Sequence, residues 1–125
     1  MKKHVILVCT VLLMSFAYGQ QHYWKEMESF HEQVGTILHP VETGNLRPVK
    51  EKSGELLSGS EHWQASVIPA DCNYPAIKTD LDDLVKICRE LNEAVRLKRG
   101  NAEIKKRAIQ LHNKFHQILA AAGGR

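Results

Sequence analysis

The chain has 125 residues, with 17 lysines and arginines against 14 aspartates and glutamates and a formal charge of +3. That length points to one domain, and the near-balanced charge, with no face of clustered Lys and Arg, excludes the electrostatic footprint of a nucleic-acid binder. The longest apolar tract is too short to cross a bilayer comfortably, which takes about 20 residues.

That tract opens the chain. Lys2, Lys3 and His4 precede the apolar run Val5 to Ala17, and Ala17-Tyr18-Gly19 places small residues at the −3 and −1 positions of a signal-peptidase site. The order basic, apolar, small-x-small predicts a leader over residues 1–19 and a periplasmic or secreted mature chain over 20–125. Cys9 stands too early for a lipoprotein cleavage site. Removing the leader takes Lys2 and Lys3 with it and leaves 15 basic against 14 acidic side chains, a net of +1. Cys72 and Cys88 remain. Outside the cytosol an even pair predicts a disulfide, although a buried free Cys88 serving as a soft ligand is the alternative.

Four stretches with helical periodicity follow, and none alternates like a strand. The first runs from His22 to His39, with Tyr23, Met27, Phe30, Val34 and Ile37 at spacings of three and four, a single apolar seam. Pro40 and Glu42-Thr43-Gly44-Asn45 end or kink it. Asn45 caps the second, Pro48 sits in its first turn, and Leu46, Val49, Ser53, Leu56, Ser60, Trp63 and Val67 form its seam. Gly54, Gly59 and the serines make this the weakest helix, which either depends on its neighbours or breaks near Ser58-Gly59-Ser60, and Pro69 closes it.

The third helix runs from about Ile77 to Lys98, with Ile77, Leu81, Leu84, Cys88, Leu91 and Val95 inward. Asp80, Asp82 and Asp83 lie in its first turns and Arg96, Lys98 and Arg99 at its end, which complements the helix dipole. Gly100 ends it and Asn101 caps the fourth, whose seam is Ile104, Ala108, Leu111, Phe115 and Ile118. Four amphipathic helices on short or moderate links predict an all-α, antiparallel up-down-up-down four-helix bundle.

Six histidines lie beyond the leader, and four of them, His31, His39, His112 and His116, are the candidate metal ligands. His112 and His116 stand four residues apart on one helical face, a spacing that lets two imidazoles share an ion. With the first and last helices adjacent and antiparallel, paired positions sum to about 141–145, so His31 falls level with His112 and His116. An unbroken helix puts His39 roughly 80° and 12 Å from His31, so it joins the His31, His112 and His116 centre only if the chain bends at Pro40, with His39 or Glu42 then assisting. The alternative is that His39 and Glu42, three residues apart, bind separately or cap the helix end. Glu28 and His31 form a Glu-x-x-His pair, but the fourth helix lacks the inward glutamates that a two-metal carboxylate site requires. His22 and His62 read as surface residues. Imidazole donors suit zinc, copper, nickel or iron, and the predicted cofactor is a transition-metal ion of that group. No combination of nucleophile, base and orienting group is present, so catalysis is not predicted.

Phe30-His31, His39-Pro40 and Leu111-His112 through Phe115-His116 resemble the pattern of small, exported, histidine-bearing four-helix bundle proteins. The architecture is also similar to that of soluble cytochrome b and cytochrome c-prime, which implies a haem held by Met27 and a histidine, lined by Phe30 and Phe115. The chain departs from cytochrome c-prime in having no Cys-x-x-Cys-His for covalent attachment. The leading expectation is a non-enzymatic, metal-binding bundle for metal buffering, delivery or sensing. Its partners would be the metal ion and a periplasmic protein. The alternatives are a cofactor-free envelope structural, interaction or stress protein, and a non-covalent haem-binding bundle.

Overall fold

The computed structural model describes residues 23–123. The leader over 1–19 and His22 lie outside them. Within the described residues every regular element is helical and no strand occurs. The first arm begins as α1 (Lys25–Gln33), continues without a break through a π turn (Val34–Leu38), and ends in a 3₁₀ turn (His39–Thr43). Then come α2 (Arg47–Gln64), a short 3₁₀ turn (Ala70–Cys72), α3 (Ile77–Arg96) and α4 (Asn101–Ala121). The four helices pack against one another: α2 lies between the first arm and α3, and α4 meets α3 on one side and the π and 3₁₀ turns on the other.

Apolar seams hold them together. Met27, Phe30, Val34 and Ile37 from the first arm, Leu56 and Trp63 from α2, Leu84 and Leu91 from α3, and Leu111 and Phe115 from α4 share one core, none more than 1 % exposed. Burying side chains of this size stabilises by roughly 1.5–3 kcal/mol each, which no surface ion pair approaches. Two seam positions differ from the predicted ones. Tyr23 is 63 % exposed and Trp24, 1 % exposed, takes its place; Val67 is 88 % exposed because α2 has already ended at Gln64. Trp24 is also fixed by polarity. Its indole N–H donates to Ser66 Oγ at 3.0 Å, and that hydroxyl donates in turn to the Trp63 carbonyl at 2.7 Å. One serine therefore ties the start of α1 to the end of α2.

The predicted break in α2 falls elsewhere. Its one non-helical residue is Lys52 (φ −128°, ψ 19°), while Gly59 and Ser60 stay in the helix. A Cβ on Gly59 would stand 2.0 Å from Gln33 Oε1, so the missing side chain is the space that the Gln33 amide occupies, with Gln33 Nε2 donating to the Glu55 carbonyl at 3.3 Å. Ser53 and Ser60 are buried, and Ser53 Oγ donates to Asn92 Oδ1 at 2.8 Å across to α3.

The predicted Cys72–Cys88 disulfide is corrected: both are free, buried thiols. Cys72 is held just ahead of α3 by turn hydrogen bonds from Tyr74 N to Cys72 O and from Ile77 N to Tyr74 O. Cys88 lies eleven residues into α3, ~16 Å along its axis, and a disulfide tolerates at most about 7 Å between Cα atoms. Burial pushes the Cys88 thiol up to about 12, and the Ser60 hydroxyl beside it offsets that only in part. Burial, then the charge of Asp71, raises Cys72 as well. Neither thiol is expected to react with Ellman's reagent in the folded protein, and both should do so in denaturant; one equivalent or none under denaturing, non-reducing conditions would restore the disulfide.

Two end details set the remaining geometry. Asp80, 8 % exposed, accepts from Tyr74 Oη at 2.7 Å and from Lys114 Nζ at 3.0 Å, joining the 69–76 connection and α3 to α4. Burial alone would raise its pKa, but the hydrogen bonds from Tyr74 and Lys114 and the lysine charge overcome this and hold it below the usual value. At the end of α3, Lys98 N donates to Val95 O and Arg99 N to Ala94 O, a Schellman turn with Lys98 at φ 56°. The equivalent residue after the first arm is Gly44 at φ 86°. A lysine in the left-handed region carries a steric penalty that glycine lacks. Lys98→Gly is therefore expected to stabilise the fold by roughly 1 kcal/mol, read as an upward shift of the urea midpoint at constant slope.

Candidate metal centre

The π turn determines which histidines meet. At ~100° per residue, eight residues of α-helix would leave His39 about 80° off the face of His31. A π turn accommodates one extra residue, so only seven residues' worth of rotation remains and His39 swings back to within about 20° of that face. Leu38 and Val41, each 2 % exposed, pin the backbone on either side of it. The 3₁₀ turn then adds its own periodicity. With three residues per turn, positions three apart eclipse, so His39 and Glu42 stand one above the other, and Pro40 near the start of the turn requires no N–H.

Opposite them lies the His112 edge of α4, whose neighbours Leu111 and Phe115 are fully buried. The His112 ring centroid is 5.4 Å from that of His39 and 4.4 Å from that of His116. His112 Nε2 lies 3.9 Å from Glu42 Oε2. Donor atoms of His39, Glu42 and His112 all lie within 4.8 Å of one another. Two donors on one tetrahedral ion at about 2.05 Å stand roughly 3.3 Å apart. The widest pair must therefore close by at most about 1.5 Å, and the His39 and Glu42 side chains are exposed and have room to rotate.

His116 reaches the group through His112. Their Nε2 atoms are 3.1 Å apart, one ring donating a hydrogen bond to the other. An ion about 2.05 Å from both would subtend about 98°, so the spacing suits chelation once the shared hydrogen bond is broken and the rings turn their lone pairs toward the ion. The His112 ring is held below the ordinary histidine range, first by burial, then by the nearby His116 and His39, against the opposing pull of Glu42. Such a ring stays neutral at neutral pH, the state in which imidazole has a lone pair to offer a metal.

His31, expected at the heart of the centre beside His112 and His116, is not in this group. Its ring packs 5.3 Å from Phe115, and its Nδ1 lies 3.9 Å from Glu28 Oε1 on the same arm. The structure thus brings together His39, His112 and His116 of the four predicted ligands, places the Glu42 carboxylate beside His39 and His112, and leaves His31 to one side. The sequence signal for Glu42 is the His-x-x-Glu spacing directly over a proline. His62 is exposed, as predicted. Compared with models of protein families, with curated proteins and with solved structures, the chain matches none of them, so the centre is read from its own geometry.

Proposed function

We propose that the chain is an exported, non-enzymatic four-helix bundle that binds a transition-metal ion through His39, Glu42 and His112, with His116 as a further donor, and serves metal buffering, delivery or sensing. The observation that carries this is the convergence of two imidazoles and a carboxylate, from two separate parts of the chain, within 4.8 Å. Residues 39 and 42 meet residue 112 only through the tertiary fold, which distinguishes the group from a chance pairing along one helix. Nitrogen and oxygen donors in this mixture favour zinc, copper(II), nickel or iron over a soft ion such as copper(I).

The up-down-up-down antiparallel order belongs to the same reading. It is supported by opposed numbering in the contacts: Gln64 with Asp82 and Ser53 with Asn92 between α2 and α3, Asp80 with Lys114 and Glu90 with Arg107 between α3 and α4. His31 against Phe115 and His39 against His112 repeat it between the first arm and α4. Export rests on the basic, apolar, small-x-small order of residues 1–19; no described helix is long and apolar enough to cross a membrane. A haem reading has less support, because Met27, the methionine it requires, is wholly enclosed in the apolar core.

Calorimetric titration with zinc provides the test. One equivalent should bind, and His39→Ala or Glu42→Gln should each weaken binding by at least about tenfold, since each removes one donor of three or four. Zinc binding unchanged in both variants would place the ion elsewhere and end the assignment.

A further inference from the structure

Resting on that reading, we propose that the centre is a transfer site: His116 is a displaceable fourth ligand, and the ion leaves by associative exchange onto a nitrogen donor of a partner protein. Sites that hold zinc for structural purposes are closed on all sides by protein ligands. Here three of the four donors face solvent. His39 and His116 are exposed and the Glu42 side chain is 64 % exposed, whereas the His112 side chain is only 24 % exposed. The half-buried ring is the anchor, and the other donors are accessible to an incoming group.

His116 is distinguished from them by its position. It touches the group at His112 alone, at 3.1 Å between Nε2 atoms, and stands outside the three-residue cluster of His39, Glu42 and His112. It can chelate together with His112, and when it lets go its exposed ring takes its hydrogen bonds from water. Its departure therefore leaves no buried polar group unpaired. In the exchange step a neutral imidazole nitrogen of the partner forms a bond to the ion from the solvent side while the bond to His116 Nε2 breaks. Four donors surround the ion before and after, its charge and oxidation state are unchanged, and no proton moves.

Stopped-flow mixing of the zinc-loaded protein with excess 4-(2-pyridylazo)resorcinol, a coloured nitrogen- and oxygen-donor chelator, tests this. The observed rate should rise in proportion to chelator concentration without a plateau. His116→Ala should weaken zinc binding by about tenfold or less while raising the second-order exchange constant at least about fivefold; His112→Ala should weaken binding by about a hundredfold or more. His116→Gln, which keeps a polar side chain at an exposed helix position, should match His116→Ala. A rate independent of chelator would mean that the ion must leave before the chelator enters, and would overturn the proposal. So would a His116→Ala variant as weak as His112→Ala, or one unchanged in both affinity and rate. Failure of the wild-type protein to bind zinc at all would overturn the metal reading itself, and this proposal with it.

Discussion

Zinc at about a hundredfold excess over its dissociation constant is expected to raise the unfolding midpoint of the wild-type bundle by roughly 10–20 °C, and His112→Ala to abolish the rise. A ligand that binds only the folded state at that ratio contributes about 2.7 kcal/mol, and each kcal/mol moves the midpoint of a domain this size by roughly 4–8 °C. His112 is the residue to remove because it alone contacts His39, Glu42 and His116. His31→Ala should retain the full rise, since that ring packs on Phe115 and not in the cluster. An equal rise in wild type and His112→Ala would dispose of the site. Without metal the same residue makes stability depend on pH. Its folded pKa is depressed, so the unfolded chain takes up a proton first. Stability is full above the ordinary histidine value of about 6.5 and declines as the pH falls through it toward the lower folded value.

Trp63→Ala is the most damaging single substitution expected in the core, at about 3–5 kcal/mol. The Trp63 ring is fully buried and contacts Trp24 at 5.7 Å, Phe30 at 5.6 Å and Phe115 at 6.0 Å between centroids, joining three helices at one point. Total stability in domains of this size is about 5–15 kcal/mol, so such a loss brings the fold close to its threshold. Trp63→Phe should be far milder. It gives up part of the ring volume, but also discards an indole N–H that has no hydrogen-bond partner, a buried group that carries a penalty of about 1–3 kcal/mol. Urea melts of the two variants decide the matter: equal losses would mean that the N–H is satisfied after all.

Apolar spacing alone makes the helices and most of the core legible in the sequence. The seams through Met27, Phe30, Val34 and Ile37, through Leu81, Leu84, Cys88 and Leu91, and through Leu111 and Phe115 are buried as their three-four spacing requires. Periodicity is less informative where a polar atom decides the outcome. Tyr23 fits the spacing as well as Trp24 does, but Ser66 is in place to accept the Trp24 indole N–H. Val67 fits it too, yet the helix has ended before it. Compartment and parity alone favour a disulfide, but neither reveals the turn that keeps Cys72 at the head of α3.

The candidate site is half legible. That His112 and His116 share a face follows from a spacing of four in any α-helix, and the structure pairs them. That His31 would complete the group assumes one uniform rotation per residue along the first arm. His31 stands against Phe115, and the π turn at Val34–Leu38 carries His39 to His112 in its stead. Nothing in Val-Gly-Thr-Ile-Leu announces such a turn by composition, so the histidine that the first arm contributes lies about two helical turns from the expected one, while the pair on α4 stays where its spacing puts it.

That turn also changes how similar centres should be sought. In a rod of constant pitch, the residue presenting the same face as His31 two turns later would be its seventh neighbour; here the eighth does so. A pattern search using a single ruler would pass over chains able to form this constellation. One that admits both offsets ahead of a His-Pro-x-Glu would recover chains with a bulged arm and chains with a regular one alike.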